Sequence, residues 1–428
     1  MRHTFAPIAA LLLAVALLLM GNGLLGTLIP VRAHLEMFST FSIGLLGSTY
    51  FLGFAIGCMS GPYLVHRVGH IRTFTAMASI VSAASLGMGL LPVPFPWTAM
   101  RVIMGFCFAV LYIVIESWLN ERSTNETRGR VLSAYLIINL TVVVLGQMML
   151  TLSDPAGLAL FALASIMVSV AVVPVALSGA AAPQPIETVR VRLSKLFNTS
   201  RIAFTGCLGV GLANGAFWTL APLFVQHAGF DVTAVALFMS ATVLGGAAGQ
   251  WPIGRLSDRM DRGKLIVATS ALAAALGIAV ILLSSDSLPW LLAAAAGWGA
   301  VTFPLYALTV AQANDRARPT EFVEISGGLL LTYAAGAVLG PLVATGFMSL
   351  LQPGGLYLFT ALVHFLVAAF AYLQLKHEQP VPAEEQIPFT EALQAAQTVS
   401  PTFDVQIQET HVQSAPDTGE SEAVQATG

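Results

Sequence analysis

Twelve long apolar stretches divide this chain of 428 residues, at 5–30, 40–64, 71–91, 98–119, 130–151, 156–178, 202–226, 233–254, 264–284, 288–311, 323–350 and 354–375. No other feature of the sequence restricts the fold so severely. A helix needs about 20 mostly apolar residues to cross the hydrocarbon core of a bilayer, and every stretch meets that length. Lipid offers no hydrogen-bond partners, so a run of this kind must satisfy its own backbone and is read as a helix. The breaks carry turn chemistry, as in LPVPFPW at 91–97, SDPAG at 153–157 and LQPGG at 351–355. Composition agrees, with 56% hydrophobic and 10% charged residues, against roughly 45–50% and about 25% in a soluble domain. The first stretch has the basic start of a signal peptide, but its apolar run continues to Ile29 and its residues align with a later internal helix. It is therefore read as the first span.

The basic residues orient the bundle. Of the 19 Lys and Arg, all but Arg32 and Arg101 fall on one side if the N-terminus is inside, among them Arg67, Arg72, Arg128, Arg130, Lys195, Arg255, Arg259, Arg316 and Lys376. Such asymmetry marks the cytoplasmic face, so both termini are expected in the cytoplasm and the protein in the inner (plasma) membrane. The polar break at 179–200 separates six spans from six. The expected organisation is an N-terminal bundle (1–178), a cytoplasmic central loop (179–200), a C-terminal bundle (201–375) and a tail (376–428). From Lys376 on, the tail has nine Asp or Glu and no further Lys or Arg, a composition expected to be disordered.

The two halves repeat each other. NGLLGTLIP at 22–30 returns as NGAFWTLAP at 214–222, an offset of 192 that also relates Ser48, Leu52, Gly53 and Gly57 to Ser240, Leu244, Gly245 and Gly249. Further on the offset is 194: LYIVIESWLNER (111–122) lies over LYALTVAQANDR (305–316), pairing Tyr112 with Tyr306. Six helices are an even number, so the two units run in parallel.

Parallel six-helix repeats are the layout of the major facilitator transporters, and local motifs extend the likeness. Gly254-Arg255-Leu256-Ser257-Asp258-Arg259, followed by Arg262-Gly263-Lys264, resembles that family's G-x-x-x-D-R-x-G-R/K loop with two residues inserted. The matching loop PYLVHRVGH keeps Arg67 and Gly69 but has His66 and His70 where the signature has Asp and Arg. Arg101-x-x-x-Gly105 is similar to the family's R-x-x-x-G element, and ESWLN with RGR and LGQ resembles the YcaD-like bacterial subgroup. The resemblance, over about 1–378, implies an all-α polytopic membrane protein of twelve spans in two pseudo-symmetric bundles, working by alternating access.

It also implies a central cavity, for which the polar and aromatic candidates are Asn22, Tyr112, Tyr135, Asn139, Asn214, Trp218, Tyr306, Thr332 and Tyr333. Asn214 and Trp218 are i and i+4 and share a helix face. Two readings of Asn-Gly stand side by side: a ligand-binding amide, or a close helix crossing with the amide bridging neighbours. Arg101 is a coupling candidate or a side chain that snorkels to the outer interface. Glu116, the one carboxylate well inside a span, is a proton carrier or part of a structural relay near the cytoplasmic end. Gly336-x-x-x-Gly340-Pro341 resembles an antiporter element, here in the other half, and reads as small-residue packing.

At the cytoplasmic gate the resemblance juxtaposes Asp258 and Asp261 with Arg128 and Arg130, and His66, Arg67, His70 and Arg72 with Glu321 and Glu324. Gly69, Gly254 and Arg259 complete the two loops. Proton coupling and facilitated diffusion both stay open, and no cofactor or metal is expected. Cys58, Cys107 and Cys207 lack the spacing of a disulfide or zinc framework. The net charge of −3 gives no basic excess for nucleic acid. H-E-x-x-H and G-x-S-x-G are absent from the sequence, so an enzyme is not expected. The expected partners are membrane lipid and a small neutral or amphipathic solute, the protein acting as a monomer. Efflux is preferred, with nutrient uptake or a non-transporting receptor or scaffold as alternatives.

Overall fold

A computed structural model describes residues 9–121, 128–177, 193–284, 287–318, 321–351, 353–382 and 384–397. Among them twelve helices are long and apolar enough to span a membrane. In the first half these are α1 (Ala9–Leu35), α2 (Thr40–Val68), α3 (His70–Leu90), α4 (Pro94–Glu121), α5 (Arg128–Met148) and α6 (Ala159–Ala176). The second half has α7 (Arg201–His227), α8 (Val232–Ser257), α9 (Arg262–Leu282), α10 (Leu288–Asn314), α11 (Phe322–Leu350) and α12 (Gly355–Gln374). No strand occurs among the described residues. The termini of the bundle share one end, which also carries the basic loops and is called the basic face below; the other end is the far face.

Local chemistry sets the helix ends. Ser39 and Asp231, which the repeat superposes, cap α2 and α8 by accepting the backbone N–H of Ser42 (3.1 Å) and Ala234 (2.8 Å). Ser200 caps α7 and Asp261 caps α9 in the same way, each worth about 1 kcal/mol. Gly69 alone joins α2 to α3, with φ at +91°, a backbone region where an L side chain is strained. Pro304 has no N–H to continue the ladder, and α10 breaks at Phe303.

The repeated glycines lie at the helix crossings. A Cβ on Gly23 would lie 2.7 Å from the Val143 carbonyl of α5, and one on Gly146 2.2 Å from that of Met20. In the second half Gly215 meets Ala337 at 2.5 Å and Gly340 meets Leu212 at 2.1 Å. These are the same contacts moved by the repeat offset. The pattern holds between α2 and α4, where Gly53 and Gly57 face Val102 and Phe106, and between α8 and α10, where Gly245 and Gly249 face Ala296 and Ala300. Backbones this close gain dispersion contacts that lipid cannot replace. Gly336 and Gly340 pack on Leu208 and Leu212 of α7, so this glycine pair of α11 serves packing.

Two features differ from the sequence reading. The first span runs through Pro30 to Leu35, five residues past the expected end. Residues 376–382 and 384–397 of the tail, expected to be disordered, take a defined path that ends in a helix, Phe389–Gln397. Phe389 and Ala392 are buried; apolar residues at i, i+3 and i+4 (Phe389, Ala392, Leu393) form a stripe that acidic composition conceals. The remainder of the tail (398–428) and most of the central loop (178–192) lie outside the described residues. The loop's last part is a short helix, Leu193–Thr199.

Candidate functional site: the cavity between the halves

The halves touch through α2 with α11, α5 with α8, and α1 and α2 with α7. The side-chain contacts gather toward the far face. Gly44 of α2 lies against Pro341 and Thr345 of α11, and Gly47 against Thr219 of α7. Ser240 of α8 hydrogen-bonds Gln147 of α5 at 3.3 Å, and the rings of His34 and His227 meet edge-on at 5.1 Å. Among the described residues, side-chain bonds on the basic face join the tail and the linker helix to the second half, and His70 to Ser117 in the first. Among the described residues these contacts between the halves lie toward the far face, the arrangement of a cavity that opens toward the basic one.

Its first wall belongs to α1, α2 and α4. Asn22 is half-buried, beside the side chains of both Tyr50 and Tyr112. Arg101 turns inward: its guanidinium lies 4.2 Å from the centroid of the Tyr50 ring and its Nε donates to the Leu46 carbonyl at 3.2 Å. This is a cation–π seat rather than a snorkelling one. One turn beyond Tyr112, Glu116 is buried at 1% exposure, within electrostatic reach of Cys58 and Tyr135. Tyr135 is buried in the core, whereas Asn139 is half-exposed on α5.

The second wall is aromatic. Trp218 stacks on Phe303 (5.7 Å, 22°), and Tyr306 packs on Tyr333 at 4.9 Å. Asn214, buried at 6% exposure, lies beside Tyr333. The Thr332 hydroxyl donates to the Gly328 carbonyl of its own helix at 2.8 Å, so its hydrogen goes to the helix rather than to a ligand. Cys58 and Tyr306, one from each half, are close enough to interact electrostatically, and they mark where the walls face each other.

Tyr50, Phe54 and Phe303 are site residues that the sequence did not single out. The repeat gave no cue to Tyr50, since the residue over it in the second half is Thr242.

Several of the gate residues have partners among the described residues, and others are exposed. His66 and Arg67 are exposed, as is Arg130; the side chain of Arg128 lies outside the described residues. His70 is buried against Trp118 and bonded to the Ser117 hydroxyl at 3.0 Å, inside its own half. Glu321 and Glu324 pair with Lys195 of the linker helix at 3.1 and 2.8 Å. Lys195 holds the Glu321 carboxyl below the usual carboxylate range, and the two acids, Glu324 first, raise the lysine. Arg259 is exposed and Asp261 is the α9 cap. Asp258 accepts from Arg262 at 3.5 Å, while the buried Arg262 meets Asp315 at 2.5 Å. Burial raises the Asp315 carboxyl against the pull of Arg262. No cluster of metal-binding side chains occurs among the described residues.

The model of one protein family, the Major Facilitator Superfamily, matches residues 11–334. An uncharacterized MFS-type transporter YcaD of Salmonella arizonae is 28% identical over 362 residues, covering 84% of this chain and 94% of that one. The YcaD of Escherichia fergusonii is 26% identical over 373 residues, covering 87% and 96%. Among solved structures, the nucleoside transporter NupG superposes with a TM-score of 0.71 at 15% identity, over 88% of this chain and all of that one. A bacterial homolog of the human lysosomal transporter Spinster, inward-facing and occupied, gives 0.72 at 14%, over 90% and 99%. At such identities the structural likeness concerns the fold alone.

Proposed function

The chain belongs to the Major Facilitator Superfamily, and on that premise we propose that it moves a small neutral or amphipathic organic solute across the membrane by alternating access. The observation that carries the reading is the contrast between the cavity walls. One offers an amide and two phenols around a cation already seated on an aromatic ring. The other offers the Trp218–Phe303 stack and the Tyr306–Tyr333 pair. A flat apolar body fits the second wall while its polar groups reach the first. A phosphorylated or dicarboxylate solute would enter with two or more charges and meet one arginine, leaving charge unpaired at low dielectric.

The excess of basic residues supports a cytoplasmic basic face, and hence an inward-open arrangement in the plasma membrane. Export is the expected direction, because a half-apolar cavity suits solutes that cross lipid unaided.

The test is a thermal-shift screen of the purified protein against a library of small organic solutes, since a ligand bound only by the folded state raises its melting temperature. Neutral ring-containing amphiphiles should stabilise the protein, and Asn22→Ala and Trp218→Ala should each abolish the shift. The reading fails if the hits are multiply charged anions, or if both variants keep the full shift.

A further inference from the structure

The tail crosses the basic face on a path fixed at two places. At the first, Glu378 accepts from the Ser200 hydroxyl (2.8 Å) and the Ile202 N–H (3.0 Å), and Arg316 pairs with it at 3.4 Å. At the second, the Ile387 N–H donates to Asp315 Oδ1 at 3.0 Å and the Phe389 N–H to Asp258 Oδ1 at 2.8 Å, while the Ile387 carbonyl accepts from Arg262. The helix Phe389–Gln397 then lies on the basic ends of α8, α10 and α11. The Phe389 ring fills the space over Gly254, where a Cβ would come within 2.6 Å of it.

Those ends bear on the opening. At the far face the halves meet through α2 with α11 and α5 with α8. If the halves rock about their middle, the other ends of the same helices must approach, bringing the start of α5 toward the end of α8. The tail helix occupies the second half's side of that approach. Asp258, the acid at the end of α8, is already taken by the tail and Arg262.

We propose that residues 387–397 are a resident wedge: seated as here they hold the basic face open, and its closure requires them to leave. The inference rests on the alternating-access reading. A ligand supplied by the chain itself can shift a two-state equilibrium only through contacts made in one state and lost in the other. The burial of Phe389 and its backbone bond to Asp258 are such contacts if α5, on closing, meets the same end of α8. A brace that only stabilised the second half would not alter the balance between open and closed forms.

The test uses the full chain in lipid nanodiscs, with the three native cysteines replaced by serine and spin labels on Ser133→Cys and Met260→Cys, exposed positions on α5 and in the loop after α8. Phe389→Asp, and separately a stop after residue 386, should raise the short-distance population by about tenfold, the order that one buried aromatic side chain supports. A stop after residue 397 should leave the distribution as in the full chain. A synthetic peptide of residues 384–397, added to the chain stopped at 386, should restore the long distance. The wedge is overturned if the stops after 386 and 397 give the same distances, or if Phe389→Asp lowers the melting temperature without moving them. Because the readout needs no solute, its failure leaves the cavity assignment untouched, and failure of the solute screen leaves the wedge untouched.

Discussion

Gly249→Ala should destabilise this protein, although alanine is the better helix former. The new Cβ would stand 1.8 Å from the Ala300 carbonyl oxygen, 2.5 Å from its carbon and 2.7 Å from its Cα. An ordinary carbon–oxygen contact is about 3.3–3.6 Å, so α8 and α10 must part by roughly 1.5 Å at the crossing. A gap of even 0.5–1 Å forfeits about a quarter to a half of each dispersion contact along the seam. Overpacking of this kind costs about 1–3 kcal/mol. Gly26→Ala is the matched control, because a Cβ there meets nothing within 4 Å. Both variants share the helix-propensity gain of about 1 kcal/mol, so the difference between them isolates the crossing. In one detergent, followed by tryptophan fluorescence, Gly26→Ala should melt above wild type and Gly249→Ala below Gly26→Ala by a few degrees. Gly215→Ala, with Ala337 at 2.5 Å, should fall between them. If Gly249→Ala melts level with Gly26→Ala, the repeated glycines are not at the crossings for reasons of space.

Two further outcomes are expected. Glu321, held low by Lys195, contributes to folding above the usual carboxylate range and loses that contribution as pH falls through its depressed value; Lys195, held high, loses its own as pH rises through its elevated value. A spin label at Asn198 should therefore be immobile between those limits, freer beyond either and in high salt, and free throughout in Lys195→Met; an immobile label in that variant would sink the bracket. For orientation, a cysteine at Arg259 should react with impermeant maleimide only from the cytoplasm, and one at Asp154 only from outside; the reverse pattern overturns the basic-residue argument.

Much of the fold was legible because the physics behind it is one-dimensional. Span length, the chemistry of the breaks and a repeat offset survive in a string of letters, and the offset even carried the crossing partners: Gly23 with Val143 predicts Gly215 with Ala337. The Asn-Gly phrase carried two readings, a ligand-binding amide and a helix crossing bridged by the amide, and its placement is compatible with both. Its glycines sit at crossings, while Asn22 lies beside two tyrosines and Asn214 beside one. Side-chain direction was less legible. Arg101 could point to lipid headgroups or inward, and what turns it is Tyr50, on another helix and without a counterpart in the repeat. Glu321 and Glu324 had several basic suitors on the same face, and only the placement of the linker helix gives them Lys195. The tail had the composition of a solvated chain; its short apolar stripe acquires meaning beside Gly254, Asp258 and Asp315, more than 70 positions away in sequence.

The hairpins on the basic face are built unequally. Four residues, 258–261, connect α8 to α9, and Arg262 ties that corner to Asp315. Between α2 and α3 stands Gly69 alone. A tether of one residue has no slack, so α3 cannot lag behind α2 in any movement of the first half. The first half receives any such displacement as a lever receives torque, through a stiff joint with almost no play, whereas the corner after α8 can absorb part of the stroke. A single inserted residue beside Gly69 would act as backlash in that joint, lengthening the delay between the movement of one helix and the response of the next.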